Sequence, residues 1–191
     1  MQALAEIDAP HLLDLGRLCD QNIEWWIHHG CKVTVDDLLT TLEPPPPTPP
    51  QPRHRPKIDH QPAPVVVPEI RQPAEAFHAI VCWDLFDYFD PAGAAVMLKQ
   101  VAALLKPRGH LLALFNCRKR VEQTATRYRI IAADRLHYET LPGPMTRIYE
   151  NREIQELFRD YELVNSCYLN HQMTEVLMQR RAARPGPKKP V

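Results

Sequence analysis

Hydrophobic positions along this chain fall into short unbroken runs that alternate with stretches of helical spacing. His11-Leu12-Leu13-Asp14-Leu15 is a short apolar run stopped by Gly16, the pattern of a buried strand. Ile23, Trp26 and Ile27 then recur at helical spacing, with Asp20 as a candidate N-cap and Gly30 as the stop. Lys32-Val33-Thr34-Val35 alternates and is β-branched, so it reads as a second strand. Asp36 is positioned to cap a short helix through Leu38, Leu39 and Leu42. A strand–helix–strand unit of this size predicts a right-handed parallel crossover.

The pattern resumes after position 74. Ala79-Ile80-Val81-Cys82-Trp83 is an unbroken strand ending at Asp84. Asp90 and Pro91 open a helix as N-cap and first residue. Its apolar face is Val96, Met97, Val101, Leu104 and Leu105, and Pro107 and Gly109 end it. Leu111 to Phe115 is another buried strand. Asn151 caps a helix carrying Ile154, Leu157 and Phe158. Tyr161 to Leu169 and Met173 to Met178 are two adjacent strands joined near Asn170-His171. Alternating strands and helices predict an α/β layered fold with a mostly parallel sheet. No internal repeat is present.

Composition changes this picture in one place. The chain has 191 residues with 20 Pro and 6 Gly, where average usage gives roughly 10 and about 13. Twelve of the prolines fall between positions 44 and 73. Proline removes backbone donors and fixes φ, so this stretch is expected to be an extended, flexible insert. Val65-Val66-Val67 is its one apolar island and the natural point for a docked stub of strand. A spacer is the favoured reading over a ligand for a proline-binding groove, since no PxxP has a defined basic anchor. The expected organisation is one domain over residues 1–182, interrupted at 44–73, with a polar tail at 183–191.

Charge and cysteine usage exclude several functions. Lys+Arg and Asp+Glu are 23 each, for a net charge of zero. Bulk electrostatic binding of nucleic acid or anionic lipid is therefore not expected. Residues 1–10 have neither a basic nor an apolar leader pattern, and no run approaches a membrane span. The five cysteines, Cys19, Cys31, Cys82, Cys117 and Cys167, form no CxxC pair and four lie in apolar or strand-like contexts, so they read as reduced, buried cytoplasmic thiols with no metal or disulfide role. The adjacent His28 and His29 diverge on a helix and read as surface residues. Arg118-Lys119-Arg120 reads as a solvated basic run, and Trp25-Trp26 as helix packing. GxxxxGK, GxSxG and HExxH are absent. The sequence does not fix an oligomeric state.

In an open parallel sheet, ligands bind beyond the carboxyl ends of the strands where strand order reverses. The residues at those ends are Asp14-Leu15-Gly16, Asp36, Trp83-Asp84 and Asn116. Acidic groups at such an edge suit ligand hydroxyls and cations and suit a pyrophosphate poorly.

These residues carry a resemblance. Leu12-Leu13-Asp14-Leu15-Gly16, with an acid 22 positions later at Asp36, resembles the first two motifs of class I S-adenosylmethionine-dependent methyltransferases. Phe77 to Asp84 resembles their fourth-strand motif. Leu104-Leu105-Lys106-Pro107-Arg108-Gly109-His110-Leu111-Leu112 is similar to their LLKPGG-strand signature, with Arg108 in place of a glycine. The last two strands match their terminal antiparallel hairpin. The resemblance implies a Rossmann-like sheet with helices on both faces and S-adenosylmethionine as cofactor. It places Asp14, Leu15 and Gly16 under the methionine end of the cofactor and Asp36 at the ribose hydroxyls. It places Asp84 beside the sulfonium as the candidate catalytic residue, with Trp83 and Asn116 near the substrate. Two departures stand out. Leu18 occupies the position of a second glycine, where its side chain is expected to crowd the loop. The Pro-rich insert replaces the third strand. They keep open a catalytically degenerate binding or scaffold domain as the alternative. A nucleotide-dependent oxidoreductase is a weaker third reading, because a pyrophosphate needs bare backbone N–H groups.

Overall fold

The computed structural model describes residues 4–42, 66–117, 124–142, 147–169 and 173–181. Its elements are β1 (His11–Asp14), α1 (Asp20–His28), β2 (Lys32–Val35), α2 (Leu38–Leu42), β3 (Phe77–Val81), α3 (Pro91–Leu104), β4 (Leu105–Asn116), β5 (Thr124–Ala132), β6 (Arg135–Pro142), α4 (Asn151–Leu157), β7 (Tyr161–Leu169) and β8 (Met173–Arg180). Six strands form one sheet in the order β2-β1-β3-β4-β8-β7, and β5 and β6 form a separate pair. β2, β1, β3 and β4 run parallel, while β8 is antiparallel to both β4 and β7. The chain steps outward from β1 to β2 and returns to β3 on the other side of β1. The order therefore reverses between β1 and β3.

Alternation along the strands builds two cores. Leu13, Ile80, Leu111, Ala113 and Phe115 face one side, against α2, α3 and α4. Leu12, Ala79, Val81 and Leu114 face the other, against Trp26 of α1 and Tyr128 of β5. Strands that bury both faces lack a polar alternation, which is why β1 and β3 read as continuous apolar runs. Phe115 meets Phe158 edge-to-face at 6.0 Å and stacks on Phe86 at 5.8 Å, an aromatic knot that fixes α4 on the sheet.

Element ends differ from the sequence reading by single residues, each for a local reason. Cys19, not Asp20, takes the extended N-cap backbone of α1, and Asp20 becomes an acid in the first turn. Asp37, not Asp36, caps α2, its carboxylate accepting from the Thr40 backbone N–H at 2.9 Å and from the Thr40 hydroxyl at 2.9 Å. Glu150 precedes α4 in a capping box with Glu153. Asp90 and Pro91 open α3 as expected. That helix ends at Leu104, and Pro107 and Gly109 lie inside β4. There the register with β3 shifts between Phe77 and Ala79, and Arg108 takes φ +62. Lys106 to Gly109 are thus absorbed as a bulge.

Residues 66–73, the end of the expected insert, lie extended against α3 rather than as a strand. Ile70 is buried, Val67 packs on the core, and Gln100 clamps the segment through the Ile70 N–H and the Pro68 carbonyl. The rest of the insert, the basic run at 118–120, the turn at 170–171 and the tail from 183 lie outside the described residues. The expectation of buried thiols holds for Cys31 and Cys82 alone: Cys19 and Cys117 are half-buried and Cys167 is exposed, because they sit in a loop, at a strand end and on the edge strand β7. Among the described residues no helix is long and apolar enough to cross a membrane.

Candidate functional site

The strand ends flanking the switch point between β1 and β3 gather the acids singled out from sequence. Asp14 ends β1 and is buried. Its Oδ1 accepts from the Gly16 backbone N–H at 2.9 Å and from the Trp83 indole N–H at 2.7 Å. Burial pushes its carboxyl up to about 6, against the lowering effect of those two bonds. Asp36 ends β2 one strand away. Its backbone N–H donates to the Asp14 carbonyl at 2.9 Å, and its half-buried carboxylate accepts a long bond from Gln72 Nε2 at 3.4 Å. Because Asp37 serves as the cap, the Asp36 carboxylate is left for another partner.

A turn of 3₁₀ helix (Leu85–Tyr88) follows β3 and presents two further carboxylates inward. Asp84 Oδ2 accepts from the Tyr128 hydroxyl at 3.3 Å, while its Oδ1 is buried without a hydrogen-bond partner. Burial pushes the Asp84 carboxyl up to about 7, opposed by its own backbone N–H, by the Tyr128 bond and by the Arg17 guanidinium. Asp87 lies beside it and accepts from the Asn116 backbone N–H at 2.9 Å. Burial and the neighbouring Asp84 hold it well above the usual carboxylate range. Arg17 hydrogen-bonds Tyr88 and faces this acidic group. Several buried carboxylates with raised affinities for protons, gathered at strand ends, make this edge the candidate functional site.

Aromatic side chains close the edge. Trp83 is buried and holds φ +47, a left-handed backbone that costs a bulky residue roughly 1–2 kcal/mol. Its ring stacks on Tyr128 with centroids 5.3 Å apart and an interplanar angle of 5°. A Cβ built on Gly16 would stand 2.1 Å from Trp83 Cδ1, so the indole lies flush on the glycine. Tyr128 reaches this position because the β5–β6 hairpin is clipped to α1. Asn22 donates to the Tyr128 carbonyl at 3.0 Å and accepts from the Ile130 N–H at 2.8 Å.

The structure thus gathers Asp14, Gly16, Trp83 and Asp84 directly and sets Asp36 and Asn116 on adjoining strand ends. Leu15 differs: its side chain is fully buried in the core and its backbone N–H is taken by the Val81 carbonyl at 2.9 Å, so neither is turned to the site. Leu18 does not crowd the loop, because its side chain points to solvent. The group that covers Gly16 is Trp83. Sequence reading missed the site roles of Asp87, Tyr128, Asn22 and Arg17. The alternation Thr126, Tyr128, Ile130 was the available signal for the hairpin. A separate groove of about 640 Å³ between α3 and α4, lined by Ala95, Leu98, Leu157 and Tyr161 among others, touches none of the strand-end acids. Among the described residues no cluster of His, Cys, Asp and Glu is placed to hold a metal ion.

Comparison with solved structures bears on this architecture. The chain is similar to the Burkholderia thailandensis 1,6-didemethyltoxoflavin-N1-methyltransferase, crystallised with 1,6-didemethyltoxoflavin and S-adenosylhomocysteine. The identity is 16%, over 94% of this chain and 75% of that one, with a TM-score of 0.57. A putative type 11 methyltransferase from Sulfolobus solfataricus aligns over 94% of this chain and 89% of its own, at 9% identity and a TM-score of 0.55. An S-adenosylmethionine-dependent methyltransferase from Mesorhizobium loti aligns over 92% and 93%, at 12% identity and a TM-score of 0.54. No family model matches the sequence, and no curated protein matches it. The chain has the fold of the class I S-adenosylmethionine-dependent methyltransferases, with the mostly parallel sheet and terminal antiparallel hairpin expected from its sequence.

Proposed function

We propose that this protein is an S-adenosylmethionine-dependent methyltransferase whose cofactor and acceptor meet at the β1–β3 switch point. The observation that carries the reading is the placement of Asp14, Asp36 and Asp84 at the ends of β1, β2 and β3 in this fold. A neighbour of the same fold holds S-adenosylhomocysteine. The fit is tested by what each residue offers. Asp36 supplies a half-buried carboxylate with one long hydrogen bond, suited to accept from two ribose hydroxyls. Gly16 supplies a loop position with no side chain of its own, and Asp14 a carboxylate beneath it. The residues fit the cofactor once the Trp83 ring leaves Gly16.

When bound, S-adenosylmethionine supplies an electrophilic methyl carbon. The protein's part is to align the acceptor and manage its proton. Asp84 Oδ1 is buried and unpartnered, so it can accept the proton that a hydroxyl or N–H acceptor releases. Its carboxyl, raised to about 7, is poised for that exchange near neutrality. Tyr128 orients it through Oδ2, and Trp83 and Asn116 wall the approach.

A second reading has its own observation. Trp83 covers Gly16 and takes the Asp14 carboxylate, which favours a binding domain that has lost catalysis. Calorimetric titration with S-adenosylmethionine and S-adenosylhomocysteine, followed by transfer of a labelled methyl group to extracts, separates the two. Binding with turnover establishes the enzyme. Binding without turnover establishes the degenerate domain. No heat at millimolar ligand removes the cofactor altogether.

A further inference from the structure

We infer that Trp83 is a displaceable internal occupant of the ligand site, competing with the cofactor for the surface of Gly16 and for the Asp14 carboxylate. The inference rests on the cofactor reading above and adds a closed state that the bound ligand must open. Three independent features of the indole point to it.

First, Trp83 sits where a ligand would approach. The Gly16 Cβ position lies 2.1 Å from its Cδ1 and 2.4 Å from its Nε1. The ring fills the space that the glycine leaves open. Second, its polar atom satisfies the site rather than the core. The indole N–H donates to Asp14 Oδ1 at 2.7 Å, a second donor to a buried carboxylate that otherwise has only the Gly16 N–H. Third, the backbone is strained toward this pose. A tryptophan needed only as core filler would not require φ +47. The pose is over-determined by the Asp14 bond and by the face-to-face stack on Tyr128.

The architecture permits release. The Trp83 carbonyl stays anchored to the sheet by accepting from the Leu114 N–H at 2.7 Å, so the side chain can turn without breaking the ladder. Tyr128 belongs to the β5–β6 hairpin, which forms its own two-stranded sheet and shares no ladder with the six-stranded one. Side-chain hydrogen bonds fasten it through Asn22 to α1 and through the Tyr128 hydroxyl to Asp84. Hairpin and indole therefore act as a latch over the acids, and ligand affinity is scaled down by the fraction of molecules in which the latch is open.

The test uses S-adenosylhomocysteine as the probe and two readouts. In a Trp25→Phe, Trp26→Phe background Trp83 is the sole tryptophan. Ligand binding then changes its emission as the ring leaves Tyr128 and Asp14. In parallel, calorimetry compares wild type with Trp83→Gly, which accepts the left-handed backbone and empties the space, and with Trp83→Phe, which loses the N–H. Trp83→Gly is expected to bind about ten-fold or more tightly, as for a closed state populated at about 90% or above, and Trp83→Phe to fall between. If wild type binds, Trp83 emission is unchanged and no variant binds more tightly, the latch is overturned while the cofactor reading stands. If neither wild type nor folded variants bind, both are overturned. Should Trp83→Gly fail to fold, the emission change in the single-tryptophan protein decides alone.

Discussion

Replacing Asp84 with Asn should remove a pH-dependent loss of stability. In the folded protein burial raises the Asp84 carboxyl from its ordinary 3.8 to about 7. Between those values the native state holds a proton that the unfolded state has released. Stability therefore falls as pH rises through this window, and levels off once both states are ionised. At 1.36 kcal/mol for each tenfold in proton affinity, the interval corresponds to about 4 kcal/mol. Asn has the shape of the protonated acid, stays neutral, and keeps an oxygen to accept from Tyr128. At pH 4.5 the variant should match wild type to within about 1 kcal/mol. At pH 8.5 it should be more stable by on the order of 2–4 kcal/mol, since Asp87 and Arg17 share part of the effect. The assay is urea unfolding of both proteins at half-unit steps from pH 4.5 to 8.5, comparing midpoints at constant slope. A difference that stays flat across this range would refute the argument that burial keeps Asp84 protonated in the folded protein. A wild type that gains on the variant as pH rises would reverse its sign.

Four further outcomes follow from the same geometry. Asp36→Ala should weaken S-adenosylhomocysteine binding by about 1–3 kcal/mol, the scale of a hydrogen bond to a charged group, and barely move the melting temperature. Asp37→Ala should instead cost about 1 kcal/mol of stability through the lost α2 cap. Asn22→Ala strips both bonds from the hairpin and should cost about 2 kcal/mol, with faster hydrogen exchange at the Ile130 amide as the local readout. Gly16→Ala places a methyl on the Trp83 ring, so it should shift tryptophan emission and lower the unfolding free energy, read from the urea midpoint, by an overpacking cost of about 1–3 kcal/mol.

How much of this was legible depended on whether the signal was local. β1, β3 and the core of β4 announced themselves because strands buried on both faces read as unbroken apolar runs. The Asp90-Pro91 start of α3 was legible because an acid followed by proline has one favourable place on a helix. Caps were misplaced by one residue at Asp36, Asn151 and Asp20, where polar residues lie side by side and backbone geometry decides which one turns inward. The β5–β6 hairpin was lost because its strands are half polar and its apolar positions join the smaller core, between α1 and the sheet, without pairing to the sheet. With it went Tyr128, which joins Asp84 across 44 positions of sequence. The covering of Gly16 was also assigned to the wrong residue. Sequence adjacency pointed to Leu18, whereas the fold brings Trp83 there from 67 positions away.

The two functional readings are ends of one scale rather than rival folds. An edge needed only for packing would gain by exchanging Asp14, Asp84 and Asp87 for apolar groups, since burying a carboxyl costs more than a few hydrogen bonds return. Their presence together, with Arg17 as the facing cation, argues that the edge is built to meet a ligand. What Trp83 then sets is the free energy between closed and open forms. If that gap is about 1.4 kcal/mol the cofactor loses about tenfold in affinity, which an enzyme tolerates. If it is about 4 kcal/mol the loss is about a thousandfold, and a micromolar site becomes a millimolar one that never fills. The same residues, in the same places, thus yield a methyltransferase or a silent domain according to how firmly one indole holds Asp14.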